Sequence, residues 1–247
     1  MASSLFFRAA LPSWSFRRRH LHGPVAGPIW EVSGGTVRTR VKICGLTREQ
    51  DALAAVSAGA DALGFVFCDA SPRNLEASAA AGMAATLPPF VSVVGLFLNP
   101  ERELVESVLR EVPLDLLQFH GEEPAAFCES FGRRYIKAIP MGGRADPLAY
   151  AAEYPAAAGF LLDGNRAGER GGQGETFDWA AVPDVFPRPL VLAGGLDPGN
   201  VAEAVVRCRP YAVDVSSGVE SGPGIKDARR IAAFMREVED VRDIKDH

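Results

Sequence analysis

At 247 residues with 47% apolar side chains, the chain can bury one large core, and α/β barrels of this size commonly form a single domain. The formal net charge of −5 is divided unevenly: residues 1–40 carry six arginines against one acid, and the rest carries 20 basic and 30 acidic side chains, a balance that argues against nucleic acid as the main partner. Cysteines 44, 68, 128 and 208 form no C-x-x-C pair, which points to free thiols in a reducing, cytoplasmic compartment; His120, the one histidine away from the termini, cannot build a histidine metal cluster.

Residues 1–40 hold no acid before Glu31, an Arg-Arg-Arg-His run at 17–20, and several Ser and Pro. Leaders of this composition can direct organellar import. Without a convincing amphipathic helix, the segment reads instead as a flexible, disordered extension, and the folded catalytic domain is expected over 41–240.

From Val41 the pattern alternates. Short apolar, β-branched or aromatic runs stand at 41–44, 62–67, 91–98, 115–119, 134–139, 159–162, 190–193 and 212–215, with segments of helical composition between most of them. Thr47-x-x-Gln50 is a capping-box pattern that opens a helix running to Gly59. Residues 77–100 carry no charge over 24 positions, long enough to span a bilayer, but Pro88-Pro89 interrupts them and they read as helix, turn and buried strand, with no membrane partner. Asn99-Pro100 and Asp197-Pro198 read as cap and first residue of further helices. The connection over 164–189 is the exception, Gly-rich and weakly helical. Eight strand candidates interleaved with helices predict a parallel sheet closed into a (β/α)8 TIM barrel rather than an open doubly wound sheet.

In such barrels the chemistry lies at the C-terminal strand ends. The first run ends in Cys44, a thiol at the mouth, where nearby cations can favour the thiolate. Cys68, Cys128 and Cys208 read as structural. The sixth run ends in Asp163, and a carboxyl held partly out of water suits a general acid. Arg73, in Ser71-Pro72-Arg73, can grip a carboxylate with two donors. The fourth run ends Gln118-Phe119-His120-Gly121 and supplies Gln118 and His120 as binding candidates. Glycines 194 and 195, with Ser216 and Ser217 at the end of the eighth run, form a phosphate cradle of backbone and hydroxyl donors, to which Gly174 could add a further backbone donor. Lys42 shares a strand face with Cys44 and needs an acidic partner, for which Asp214 is available.

These residues sit in the stretches V-K-I-C-G-L-T (41–47), A-G-A-D-A-L-G-F-V-F (58–67), S-P-R (71–73), Q-F-H-G (118–121), L-L-D (161–163), G-G-Q-G-E-T-F-D-W (171–179), L-A-G-G-L (192–196), D-V-S-S-G-V-E (214–220) and P-G-I-K-D (223–227). Together and in this order they resemble the phosphoribosylanthranilate isomerase family of tryptophan biosynthesis. The resemblance implies an Amadori rearrangement of a small phosphorylated substrate without cofactor or metal, by a protein that is a monomer or a homodimer. It implies that Asp163 protonates the ribose ring oxygen, Cys44 takes the proton from sugar C2, and Arg73 holds the anthranilate carboxylate. Gln173 stands where the family usually has Thr, and Phe119 where Leu is usual; Phe119 should face away from the pocket. Two other readings are a neighbouring sugar-phosphate isomerase barrel, which works with two aspartates where this chain has Cys44, and a catalytically silent barrel that only binds phosphate. Retention of both thiol and acid weighs against the silent barrel.

Overall fold

A computed structural model describes residues 38–143, 146–164 and 177–244. The leader up to residue 37, Gln173 and Gly174 lie outside the described residues. Each of the eight apolar runs forms a strand: β1 (Arg40–Cys44), β2 (Ala62–Phe67), β3 (Ser92–Phe97), β4 (Leu116–Phe119), β5 (Tyr135–Pro140), β6 (Gly159–Asp163), β7 (Leu190–Leu192) and β8 (Ala212–Val215). All pair in parallel with their neighbours in chain order, and β8 pairs with β1, so the barrel closes.

Strand alternation separates two cores. On β5, Ile136 and Ala138 point into the barrel with Leu161, Val191, Ala193 and Ala212. Tyr135 and Ile139 point outward, into the larger core between sheet and helices. Phe119 also faces outward, as expected, among Phe97, Phe127, Phe131 and Tyr135. Burying each such ring stabilises the fold by roughly 1.5–3 kcal/mol.

Helices α1 (Glu49–Ser57), α2 (Ala77–Ala85), α3 (Arg102–Glu111), α4 (Ala125–Glu129), α5 (Pro147–Ala152), α6 (Val201–Cys208) and α7 (Ala228–Ile244) cover the outside. Their apolar residues repeat at helical spacing: α7 buries Ile231, Phe234, Met235, Val238 and Val241 on one stripe. The uncharged stretch 77–100 is α2, a turn and β3; no helix among the described residues is long and apolar enough to cross a membrane. Between β6 and β7 the described residues contain only a 3-10 turn, Trp179–Ala181.

Helix starts depart from expectation. The Thr47 hydroxyl caps nothing; it donates to the carbonyl of Gly224 at 2.6 Å, and α1 begins after Arg48 without a side-chain cap. Asn99 adopts a left-handed φ of 45° and accepts from the Glu122 amide, while α3 starts only at Arg102. Likewise α6 starts at Val201, because Asp197 and Pro198 are spent in a turn closed by the Gly199 amide. In the first two cases a neighbouring loop outcompetes the helix end for a short polar side chain.

Candidate active site

A cleft of about 730 Å³, counting the space at its mouth, opens at the C-terminal ends of the strands. Cys44, Arg73, His120, Asp163, Gly194, Gly195, Ser216 and Ser217 all line it, so eight of the ten expected residues come together. Gln118 does not: it is 0% exposed and sits one layer below the cleft floor.

Strand register builds the thiol's surroundings. Lys42 on β1 lies level with Asp214 on β8, and its Nζ donates to Asp214 Oδ1 at 2.8 Å. Cys44 lies level with Gly64 on β2, and a Cβ at Gly64 would stand 2.7 Å from Cys44 Sγ and 3.0 Å from Lys42 Nζ. Only glycine leaves room for thiol and ammonium to share this space. Burial pushes the Cys44 thiol up, and the Lys42 ammonium opposes it. Burial also works against the charged Lys42, but Asp214 and Cys44 outweigh it and hold the lysine above its ordinary pKa. A permanent positive charge beside a buried thiol is the arrangement that favours a thiolate.

The acid side is built from β4 and β6. Asp163 is 5% exposed, and its Oδ2 lies 3.2 Å from His120 Nε2. Gln118 Nε2 lies 3.2 Å from His120 Nδ1. The amide of Gln118 and the carboxylate of Asp163 thus hold the two ring nitrogens of His120 from opposite sides. Gln118 therefore orients the residue above it instead of touching a ligand. The loop that follows is fastened from below, where buried Lys137 pairs with Glu123 at 3.0 Å and Glu123 accepts from the Gly121 and Asn99 amides. Gly194, with φ at +80°, lets the β7 loop pass beside Asp163: a Cβ there would stand 2.4 Å from the Gly164 nitrogen and 3.0 Å from Asp163 Oδ1.

Arg73 reaches the opposite wall. Its Nε and Nη2 donate to the two carboxylate oxygens of Glu220 at 2.8 and 2.9 Å. Glu220 opens a two-stranded hairpin, β9 (Glu220–Gly222) with β10 (Ile225–Lys226), that follows β8. Burial pushes the Glu220 carboxyl up, but Arg73 and Lys226 prevail and hold it below the ordinary carboxylate range.

Reading the sequence for function overlooked four residues. Cys68, taken as structural, lines the cleft. Gly64 was legible only as a glycine inside a strand, the usual mark of close approach. Glu220 and Lys226 flank Gly222-Pro223-Gly224, a turn signal that could have flagged the hairpin.

A closed barrel whose mouth carries a thiol, a carboxylate and two glycine- and serine-bearing loops defines a (β/α)8 enzyme of the proton-transfer type acting on a phosphorylated ligand. Comparison with known proteins narrows this. The profile of the N-(5'-phosphoribosyl)anthranilate isomerase family matches residues 41–237. The N-(5'-phosphoribosyl)anthranilate isomerase of Halorhodospira halophila is 58% identical over 203 residues, covering 82% of this chain and 98% of that protein. The Thermotoga maritima phosphoribosyl anthranilate isomerase structure superimposes with a TM-score of 0.75 at 43% identity, covering 82% of this chain and 99% of that one. Another isomerase structure, solved in complex with reduced 1-(o-carboxyphenylamino)-1-deoxyribulose 5-phosphate, is 40% identical with a TM-score of 0.71 and covers 82% and 99%. The chain belongs to the N-(5'-phosphoribosyl)anthranilate isomerase family.

Proposed function

We propose that this protein isomerises N-(5-phosphoribosyl)anthranilate to 1-(2-carboxyphenylamino)-1-deoxyribulose 5-phosphate in tryptophan biosynthesis, using Cys44 as base and Asp163 as acid. The observation that carries this is the shared cleft: thiol, carboxyl, Arg73 and the two glycine- and serine-bearing loops line one cavity. Asp163 protonates the ribose ring oxygen; the C1–O bond breaks and leaves a Schiff base. The Cys44 thiolate then removes the proton from C2, giving an enolamine. Protonation at C1 and loss of the C2 hydroxyl proton yield the ketone. His120 steadies Asp163, and Lys42 lowers the cost of the thiolate. Arg73 takes the anthranilate carboxylate. Gly194, Gly195, Ser216 and Ser217 take the phosphate, at the loop pair where barrels of this class often hold one.

The catalytic domain on this reading spans 41–240, with residues 1–40 as an extension outside it. Free thiols suit the cytoplasm. A monomer and a homodimer both fit the reading; a relative from Thermotoga maritima is described as dimeric, and sedimentation of the purified protein distinguishes the two.

The test is turnover of phosphoribosylanthranilate by the wild type, Cys44→Ala and Asp163→Asn. Each variant should lose about 10²–10⁴-fold in kcat. Full activity in Cys44→Ala would remove the thiol as base. An inactive wild type that still binds a phosphorylated ligand would instead establish the silent barrel.

A further inference from the structure

We infer that Glu220 is a positioning residue that joins the two anion-holding ends of the site, an inference that rests on the substrate reading above. Its carboxylate is buried at 6% exposure and serves two cations at once. Oε1 accepts from Arg73 Nε at 2.8 Å and from Lys226 Nζ at 2.7 Å, while Oε2 accepts from Arg73 Nη2 at 2.9 Å. Its backbone carbonyl accepts from Arg230 Nη1 at 2.6 Å, so the residue is held from α7 as well.

Two consequences follow from donor and acceptor counting. The grip on Arg73 uses the Nε–Nη2 edge of the guanidinium. Two parallel bonds to one carboxylate fix the plane and position of the guanidinium at the cleft wall. Glu220 thus sets how Arg73 meets a substrate. On the other side, the three Lys226 ammonium protons go to Glu220, to the Ser216 carbonyl at 3.1 Å and to Ser216 Oγ at 3.3 Å. A hydroxyl oxygen that already accepts from an ammonium has its own proton to give, and Ser216 lines the cleft. Lys226, held by Glu220, thereby leaves Ser216 a donor for phosphate. Without the Glu220 charge, Arg73 and Lys226 would be two buried cations side by side, and neither would hold its place.

A residue that only props up the hairpin would weaken every ligand alike; one that aims Arg73 should matter most to ligands bearing a carboxylate. The experiment compares inhibition constants for two compounds: reduced 1-(2-carboxyphenylamino)-1-deoxyribulose 5-phosphate, and the same molecule without the ring carboxylate. Wild-type protein should favour the first. In Glu220→Gln, folding checked by its melting curve, that preference should fall about tenfold, the loss of one charge-assisted contact, with KM rising more than kcat falls. Inorganic phosphate should also inhibit more weakly. Should Glu220→Gln not fold, Glu220→Asp keeps the charge, shortens the reach and gives the same comparison. A folded variant that keeps the wild-type preference overturns the inference, whatever happens to phosphate. If wild type itself shows no preference, the assignment of Arg73 to the carboxylate fails, and the inference falls with it.

Discussion

A buried thiol makes a poor base unless something beside it favours the charged form, and in this site that something is Lys42. The lysine is in turn tolerable in the barrel because Asp214 neutralises it across the β1–β8 register. Replacing Lys42 by Met alone strands the Asp214 carboxylate, which should cost about 3–5 kcal/mol of stability. The double variant Lys42→Met/Asp214→Asn removes both charges and should recover much of that loss. Its catalysis should still differ from wild type. Lys42 pulls the thiol down and Asp214 pushes it up, with the lysine the stronger of the two. Removing the pair therefore leaves Cys44 higher, and the rising limb of kcat/KM against pH, which reports the free enzyme's base, should move to more alkaline pH. A limb that stays in place would mean that Cys44 is not the group titrating.

At the scale of elements, β1 and β2 meet through a residue chosen for what it lacks. Gly64 stands opposite Cys44, and an added methyl would collide with the thiol sulfur or the lysine nitrogen. Gly64→Ala should keep the barrel, at an overpacking cost of about 1–3 kcal/mol, and yet lower kcat by displacing the thiol. Competition by inorganic phosphate, bound at the far loops, should stay at its wild-type level; a large loss of phosphate binding would show that the damage is general. This glycine also marks the limit of what the bare sequence displayed. Strands were legible because fully buried parallel strands are written as continuous apolar runs. The last residue of each was legible as a site candidate because the topology puts it at the mouth. What failed were features that depend on a distant partner. Thr47 looked like a cap because its neighbours in sequence suit one, but Gly224 lies close in space and takes its hydroxyl. Gln118 looked like a ligand contact until the strand direction put it beneath His120. Glu220 and Arg73 are separated by 147 positions, and no local spacing announces such a pair.

For the whole molecule, two of the groups that respond to alkali, Cys128 and Tyr135, lie in the outer core, away from the cleft. Cys128 on α4 is 0% exposed, and burial pushes its thiol from the ordinary 9.0 up to about 12. Tyr135, 2% exposed on β5, is pushed from 10.0 up to about 12 for the same reason, with Cys128 adding to it. Both folded-state values are raised, so the native state keeps protons that the unfolded chain has already lost. The unfolded state then binds fewer protons, and stability is complete below the unfolded values and falls as pH rises from 9.0 toward about 12. Burial also holds the Cys44 thiol above its ordinary value, so activity should rise with alkali as well, and the alkaline side of the rate profile joins two events. They can be separated by denaturant unfolding at a series of pH values between about 8 and 11, where the slope of stability against pH counts the proton difference. Cys128→Ala removes one of the buried groups and should flatten that slope, even though the smaller side chain lowers stability at neutral pH. The rising limb of kcat/KM should not move in this variant, because Cys128 does not line the cleft. An unchanged slope would take alkaline instability away from the outer core and place it elsewhere in the barrel.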